Sequence, residues 1–283
     1  MHPPTFEDLR GKVCVVTGGT GGLGSALMEA FASCGVNLAI LGRRGEVAHE
    51  HAQTLSKEFG TENVGVRADV TDKRSLLQAR TVVTETLGQP HILINGAGGN
   101  APEATTKAAR IDKGSLPELD TTLFGLNLEG FRKVFDLNFM GTLLPTLVFC
   151  EEMVKAGRGA VLNISSMNSF KPLTRIPAYS AAKAAINNFT QWLAVHFAGT
   201  GVRVNAVAPG FFLTDQNRFL LVDETTGQTT PRGRTIINHT PMGRYGTPAE
   251  LQGTCLYLVS DLSAFVTGVV IPVDGGFSAF SGV

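Results

Sequence analysis

The residues best placed to do chemistry lie between Ser166 and Lys183, in the stretch SMNSFKPLTRIPAYSAAK. A serine hydroxyl, a tyrosine phenol and a lysine ammonium fall together there. Tyr179 and Lys183 are i and i+4, so on a helix they share one face, a turn apart. A phenol beside an ammonium can act as a proton donor tuned toward neutral pH. Tyr-x-x-x-Lys alone is a common spacing, however, and a pair decorating a solvated helix face has the same signature. The surrounding elements must decide.

The segment AYSAAKAAINNFTQWLAVHFAG predicts the helix that carries the pair. Pro177 sits near its start, where a missing N–H does little harm, and Gly199 supplies a stop. Ala182, Ile186, Phe189, Leu193 and Phe197 recur at three- and four-residue steps and predict a buried stripe. Short β-branched runs predict seven strands: Lys12–Thr17, Val36–Leu41, one starting at Asn63, His91–Asn95, Ala160–Ser165, Val202–Val207 and Val269–Val273. Helical patterns separate them. That alternation predicts one α/β domain, a Rossmann-type, doubly wound parallel seven-stranded sheet with helices on both faces.

Each candidate motif falls at the carboxyl end of a strand or on the helix after it, the edge where such sheets bind ligands. After the first strand comes TGGTGGLG, whose glycines and helix start suit a pyrophosphate. The second strand ends in Gly42-Arg43-Arg44 with no carboxylate. Two guanidinium groups there suit a ribose 2′-phosphate and favour NADP, whereas a solvated charged turn would leave NAD possible. Asp69 closes the third strand, placed to accept from an adenine amino group. Gly96-Ala97-Gly98-Gly99 follows the fourth and allows close backbone approach. Ser166 follows the fifth, and Ala208-Pro209-Gly210 the sixth.

Two long segments have no clear period. Residues 100–130 predict a functional or partly mobile insert, and 211–242 a lid over the site. The helix expected over Phe131–Lys155 contains Asn138, Gly141 and Pro145. These predict a kink, local distortion and a buried water, or else an Asn satisfied by its own backbone.

Composition excludes other classes. Of 283 residues, 43% are apolar and 17% charged, a globular balance rather than a disordered one. Lys plus Arg and Asp plus Glu are 24 each, so no single-sign field favours nucleic acid. No apolar run reaches membrane-spanning length, and MHPPTFEDLRGK lacks the apolar core of a signal peptide. Cys14, Cys34, Cys150 and Cys255 form no CxxC pair; they read as free thiols in a reducing cytoplasm, and no metal site is expected.

Taken together, TGGTGGLG, ADV, NGAG, DLNFMG, NISS, YSAAK, APG and PVDGG resemble the short-chain dehydrogenases/reductases over about Leu9 to the C-terminus. The order of the motifs matches as well. The resemblance implies an NAD(P)-dependent oxidoreductase with a catalytic tetrad of Asn138, Ser166, Tyr179 and Lys183. Family spacing, thirteen residues before the tyrosine, selects Ser166 over Ser165. It implies cofactor contacts from Gly18, Thr20, Gly22, Leu23, Gly24, Arg43, Arg44, Asp69, Val70, Asn95, Gly96, Ala97, Tyr179, Lys183, Pro209 and Gly210. Gly96 departs from the family's usual Asn. The implied mechanism has Tyr179 as proton donor, its pKa lowered by Lys183 and the oxidised nicotinamide. Ser166 polarises the carbonyl, and Asn138 holds a water connecting Lys183 to solvent.

Finer resemblance, in INGAGGNAPEATT, SSMNSFKPLTRIPAYS, APGFFLTDQNR and DGGFSAFSGV, is to the short-chain type of fructuronate reductase, or D-mannonate oxidoreductase. It implies a sugar-acid ketone as the small-molecule substrate. Asn168, Arg175, Phe211 and Arg218 are the candidate substrate contacts, with Lys107 and Arg110 as further cations for its carboxylate. Gluconate or polyol dehydrogenases, 3-oxoacyl-type reductases and a non-catalytic NADP-binding sensor are the competing readings. Family analogy implies a homotetramer.

Overall fold

The seven strands run parallel in the order β3-β2-β1-β4-β5-β6-β7 in the computed structural model, which describes residues 5–214, 218–223 and 227–282. They are β1 (Val13–Thr17), β2 (Asn37–Gly42), β3 (Asn63–Arg67), β4 (Ile92–Asn95), β5 (Gly159–Ile164), β6 (Val202–Pro209) and β7 (Val270–Val273). Each lies within two residues of the run that predicted it. Pro272 is tolerated because β7 is an edge strand.

Strand alternation sorts the core into two layers. Cys14 and Val16 of β1 face α1 (Gly22–Ser33), α2 (Gly45–Phe59) and α8 (Ala249–Val259). Val13 and Val15 face α3 (Lys73–Leu87), α4 (Leu128–Lys155) and α5 (Pro177–Phe197). The chain builds β1 to β3 outward in one direction, then returns to add β4 beside β1. That reversal opens a crevice at the carboxyl ends of β1 and β4, where such sheets take ligands.

Helix α4 departs from its propensities. It runs unbroken for 28 residues across Asn138, Gly141 and Pro145. Gly141 is required by packing: a Cβ there would come within 2.9 Å of Val70 Cγ2. Among the described residues α4 alone is long and apolar enough by composition to span a membrane, but half of that window is buried inside the protein. It packs against α3 and α5 as a core helix.

The insert is not one loop. Three 3₁₀ segments, Pro102–Ala104, Lys113–Thr121 and Leu123–Gly125, fold it back on itself. Asp112 makes a capping box with Ser115. Within the lid lie α6 (Arg218–Leu221) and α7 (Pro231–Asn238), the latter capped by Thr230. All four cysteines are free; Cys14, Cys150 and Cys255 are buried, which pushes their thiols up in pKa and leaves them inert.

Candidate active site

Two glycine turns form the floor of the crevice. Gly18 has φ +71°, and a Cβ on it would lie 2.6 Å from the Gly96 carbonyl. Gly24 is as constrained, with a Cβ 2.4 Å from Gly18 O. These contacts let β1, β4 and α1 meet backbone to backbone. Thr17 locks the join: its Oγ1 accepts from Gly96 N at 3.1 Å and Ala97 N at 3.2 Å. Gly96 also explains itself, since a Cβ there would press to 2.8 Å of Thr17 O.

A cleft of about 780 Å³ lies above this floor. Thr17, Gly18, Thr20, Gly22, Leu23, Gly24, Arg43, Arg44, Val70, Gly96, Ala97, Ser166, Tyr179, Lys183, Pro209, Gly210 and Phe211 line it. No side chain caps the N-terminus of α1, so its first N–H groups are left for an anion. Glycine floor, open helix start and paired arginines fit a nicotinamide dinucleotide.

At the inner end, α5 presents Tyr179 and Lys183 toward the end of β5. Lys183 is 4% exposed, and its Nζ donates to Ile164 O at 2.7 Å. It lies 5.6 Å from the Tyr179 ring centroid. Burial pushes its pKa down to about 8. Tyr179 is shifted the other way: burial raises its phenol, and a side-chain hydrogen bond with Ser166 partly opposes this. The lowering expected from Lys183 together with the nicotinamide's positive charge is not reached by the side chains alone. The ammonium is engaged with a backbone carbonyl, and it is the lysine that is tuned toward neutrality. Ser166 is 8% exposed and its Oγ accepts from Asn168 N at 3.3 Å.

Asn138 is fully buried. Its Nδ2 donates to Gly99 O and to Val134 O, both at 2.7 Å, and its Oδ1 accepts from Gly99 N at 3.2 Å. The side chain is thus tied to protein groups on two elements. It pins the second glycine turn against Lys183: a Cβ on Gly98 would sit 2.5 Å from Asn138 Oδ1 and 3.3 Å from Lys183 Nζ.

Other expected residues take different places. Asn95 does not line the cleft. Its side chain, 1% exposed, donates to Thr146 Oγ1 at 3.1 Å and Asn163 Oδ1 at 2.9 Å, tying β4 to β5 and α4. Asp69 spends one carboxylate oxygen on Thr71 N and Oγ1, at 2.9 and 2.7 Å. Those bonds, with a smaller contribution from Arg43, hold its pKa below the usual range. It borders the cleft only through its neighbours Ala68 and Val70. Asn168 is buried and its Oδ1 accepts from Leu173 N at 3.2 Å, closing its own loop. Arg175 has φ +74°, a left-handed conformation unusual for arginine. Its Nε donates to Thr106 O at 2.8 Å, and its carbonyl accepts from Thr106 N at 2.9 Å. It fastens the insert to the Ser166–Tyr179 loop instead of lining the cleft. Arg218 is exposed on α6, and Lys107 and Arg110 are exposed on the insert, all three off the cleft. Asp215, Gln216 and Asn217 lie outside the described residues.

Sequence reasoning missed Thr214, Leu137, Ile176 and Arg232, which also line the cleft. Thr214 packs on the first glycine turn, 2.8 Å from where a Gly22 Cβ would be. Only its position within the lid pattern pointed to it.

The family model described as enoyl-(acyl carrier protein) reductase matches residues 18–278. An uncharacterized oxidoreductase of Bacillus subtilis, UxuB, is 46% identical over 281 residues, covering 99% of each chain. A solved structure with bound NAD, provisionally assigned as a D-mannonate oxidoreductase from Haemophilus influenza, is also 46% identical. It covers 98% of each chain at a TM-score of 0.91. A gluconate 5-dehydrogenase from Burkholderia cenocepacia, in complex with NADP and tartrate, is 26% identical over 97% of this chain and 99% of that one, at a TM-score of 0.83. With the fold, the cleft and these relatives in agreement, the chain is a nicotinamide-dependent oxidoreductase of the short-chain dehydrogenase/reductase family, acting on alcohol and ketone groups.

Proposed function

We propose that the enzyme reduces the ketone of a five- or six-carbon sugar acid, with D-fructuronate as the type substrate and D-mannonate as its product. The observation that carries the reaction is the meeting of Ser166, Tyr179 and Lys183 at the inner end of one cleft. The 46% identity to the Haemophilus protein supports the substrate class.

The bound, reduced nicotinamide supplies hydride. The chain's residues do the rest. Ser166 hydrogen-bonds the substrate oxygen where negative charge develops. Tyr179 gives that oxygen its proton. A phenol's pKa lies well above neutrality and burial raises it further, so the donor is in its protonated form across the neutral range, as reduction requires. Lys183 anchors to Ile164 O with one N–H and retains two for the cleft. Asn138 holds Gly98 and Gly99 beside Lys183. Just after β2, Arg43 and Arg44 favour NADP through the 2′-phosphate. On the lid, Arg232 lines the cleft, and its guanidinium is the group we assign to the substrate carboxylate. Free thiols accord with a reducing cytoplasm, and family likeness with a homotetramer.

The test is NADPH and NADH consumption with D-fructuronate, 5-ketogluconate, 2-ketogluconate and neutral polyol ketones. D-fructuronate should be reduced fastest, and Tyr179→Phe should abolish turnover while cofactor affinity persists. Arg232→Ala should raise KM for the acids about tenfold, as expected for one charged hydrogen bond, and leave neutral ketones unchanged. Faster reduction of 5-ketogluconate would make this a gluconate dehydrogenase. Cofactor binding without turnover on any ketone would refute the catalytic reading.

A further inference from the structure

Three consecutive residues at the end of β5 are laced to one face of α5. Ile164 O accepts from Lys183 Nζ at 2.7 Å. Ser166 stands next to Tyr179, near enough for its hydroxyl to offset part of the rise in the phenol's pKa. Between them, Ser165 Oγ donates to Asn187 Oδ1. Tyr179, Lys183 and Asn187 stand at i, i+4 and i+8, so all three project from the same face of the helix.

The first two have chemical work; Asn187 does not reach the cleft, and neither does Ser169. Asn187 nevertheless completes a closed circuit. Its Nδ2 donates to Ser169 Oγ at 2.7 Å, and Ser169 Oγ donates to Ser166 O at 2.6 Å. Ser169 N also donates to Ser166 O, at 2.9 Å. One amide therefore grips the residue before Ser166 with its oxygen and, through Ser169, the Ser166 carbonyl with its nitrogen. The amide is the only neutral side chain that offers both an acceptor and a donor in one plane at this length. Asp would lose the donor, and Leu would lose both.

We infer that Asn187 is a positioning residue that holds the Ser166 hydroxyl in register with Tyr179. The inference rests on the proposed roles of Ser166 and Tyr179. It assigns a purpose to Ser165 as well: the serine next to the reactive one is the handle by which α5 holds the strand end. Misplacement of a polarising hydroxyl costs turnover rather than affinity, because the bond matters most where charge develops.

The experiment is a double-mutant cycle in the full-length enzyme. Asn187→Ala, Ser166→Ala and the pair are assayed with D-fructuronate, or with whichever of the ketones above the wild type reduces fastest. Asn187→Ala should lower kcat about tenfold, the scale of one hydrogen-bond contribution, with KM and NAD(P)H affinity within about twofold. In the Ser166→Ala background the same change should cost less than about twofold, because no hydroxyl remains to be placed. An equal loss in both backgrounds, or no loss in the wild type, overturns this inference alone. Full kcat in Ser166→Ala removes the reading beneath it, and this inference with it. Should Asn187→Ala fail to fold, Ser169→Ala cuts the same circuit one bond nearer Ser166 and must show the same non-additivity.

Discussion

Replacing Gly98 by alanine adds one methyl group at the junction of Asn138 and Lys183. The Cβ would lie 2.5 Å from Asn138 Oδ1, 3.4 Å from Asn138 Cγ and 3.3 Å from Lys183 Nζ. The first distance is impossible, so something must move. Asn138 cannot turn aside freely: it is fully buried, and its amide holds Gly99 O and Val134 O at 2.7 Å each. Overpacking of this kind costs about 1–3 kcal/mol, and each surrendered hydrogen bond about 1 kcal/mol. If about 2 kcal/mol of this falls on the placement of Lys183, kcat drops roughly thirtyfold. The methyl group points at Asn138 and not into the dinucleotide's path. Cofactor affinity should therefore change less than about threefold, an order below the loss in kcat. Steady-state NAD(P)H consumption gives kcat, and fluorescence titration of NAD(P)H gives the affinity. Gly253→Ala on α8 is the control, with nothing within 4 Å of its Cβ. It should leave kcat unchanged and stabilise by up to about 1 kcal/mol. Wild-type kcat and Tm in Gly98→Ala would show that Asn138 does not hold the second glycine turn against Lys183.

Other consequences follow from the same geometry. Arg43→Ala with Arg44→Ala should lower kcat/KM for NADPH at least about tenfold while sparing NADH, since two guanidinium groups leave the end of β2; an unchanged NADPH/NADH ratio would reject them as the phosphate site. The rate of ketone reduction should be level through neutrality and fall as pH rises through about 8, where Lys183 loses its charge. A profile level to pH 10 would contradict that assignment. At the opposite edge of the sheet, His91 Nδ1 accepts from Val13 N at 3.1 Å, which requires a neutral ring. Burial, then Arg158 and Lys12, hold its pKa below 6.5. Because the folded state resists protonation more than the unfolded chain, this stabilisation is complete above pH 6.5 and is lost as pH falls through the lowered folded value. Urea midpoints should fall between pH 7 and pH 5 in the wild type and fall less in His91→Gln.

The parts of the site that were legible in the sequence are those set by local pattern. Short β-branched runs gave the strands, and the turns after them gave the sheet edge, because strand period and turn chemistry act over a few residues. Asn138 shows where this stops. Its own stretch pointed to distortion and a water or to an Asn satisfied by its own backbone; the bond to Val134 O is of the second kind, but the rest of the amide is taken up by Gly99, 39 residues away. Asn95 failed for the same reason: its partners Thr146 and Asn163 are brought to it by the packing of α4 and β5. The lid and insert have no period at all, so the cations chosen there by position, Arg175 and Arg218, were not the one the fold brings to the cleft.

Arg175 and Asn187 then show how much of the machinery is built outside the cleft. Tyr179 and Lys183 share a helix face with Asn187, but i, i+4 and i+8 spacing cannot by itself place a serine opposite them. That needs the strand end to be held at a fixed height along the helix. Lys183 and Asn187 hold it on Ile164 and Ser165, and Arg175 with Thr106 holds the far end of the same loop against the insert. Ala104 of the insert, fully buried, packs with Val134 and Ala178 in a small cluster that includes Tyr179. The tyrosine is thus fixed from the helix side by its own turn and from the solvent side by the insert. The insert, expected from the sequence to be functional or partly mobile, thus forms one wall of the proton donor's pocket, and burial there moves the phenol's pKa further above neutrality.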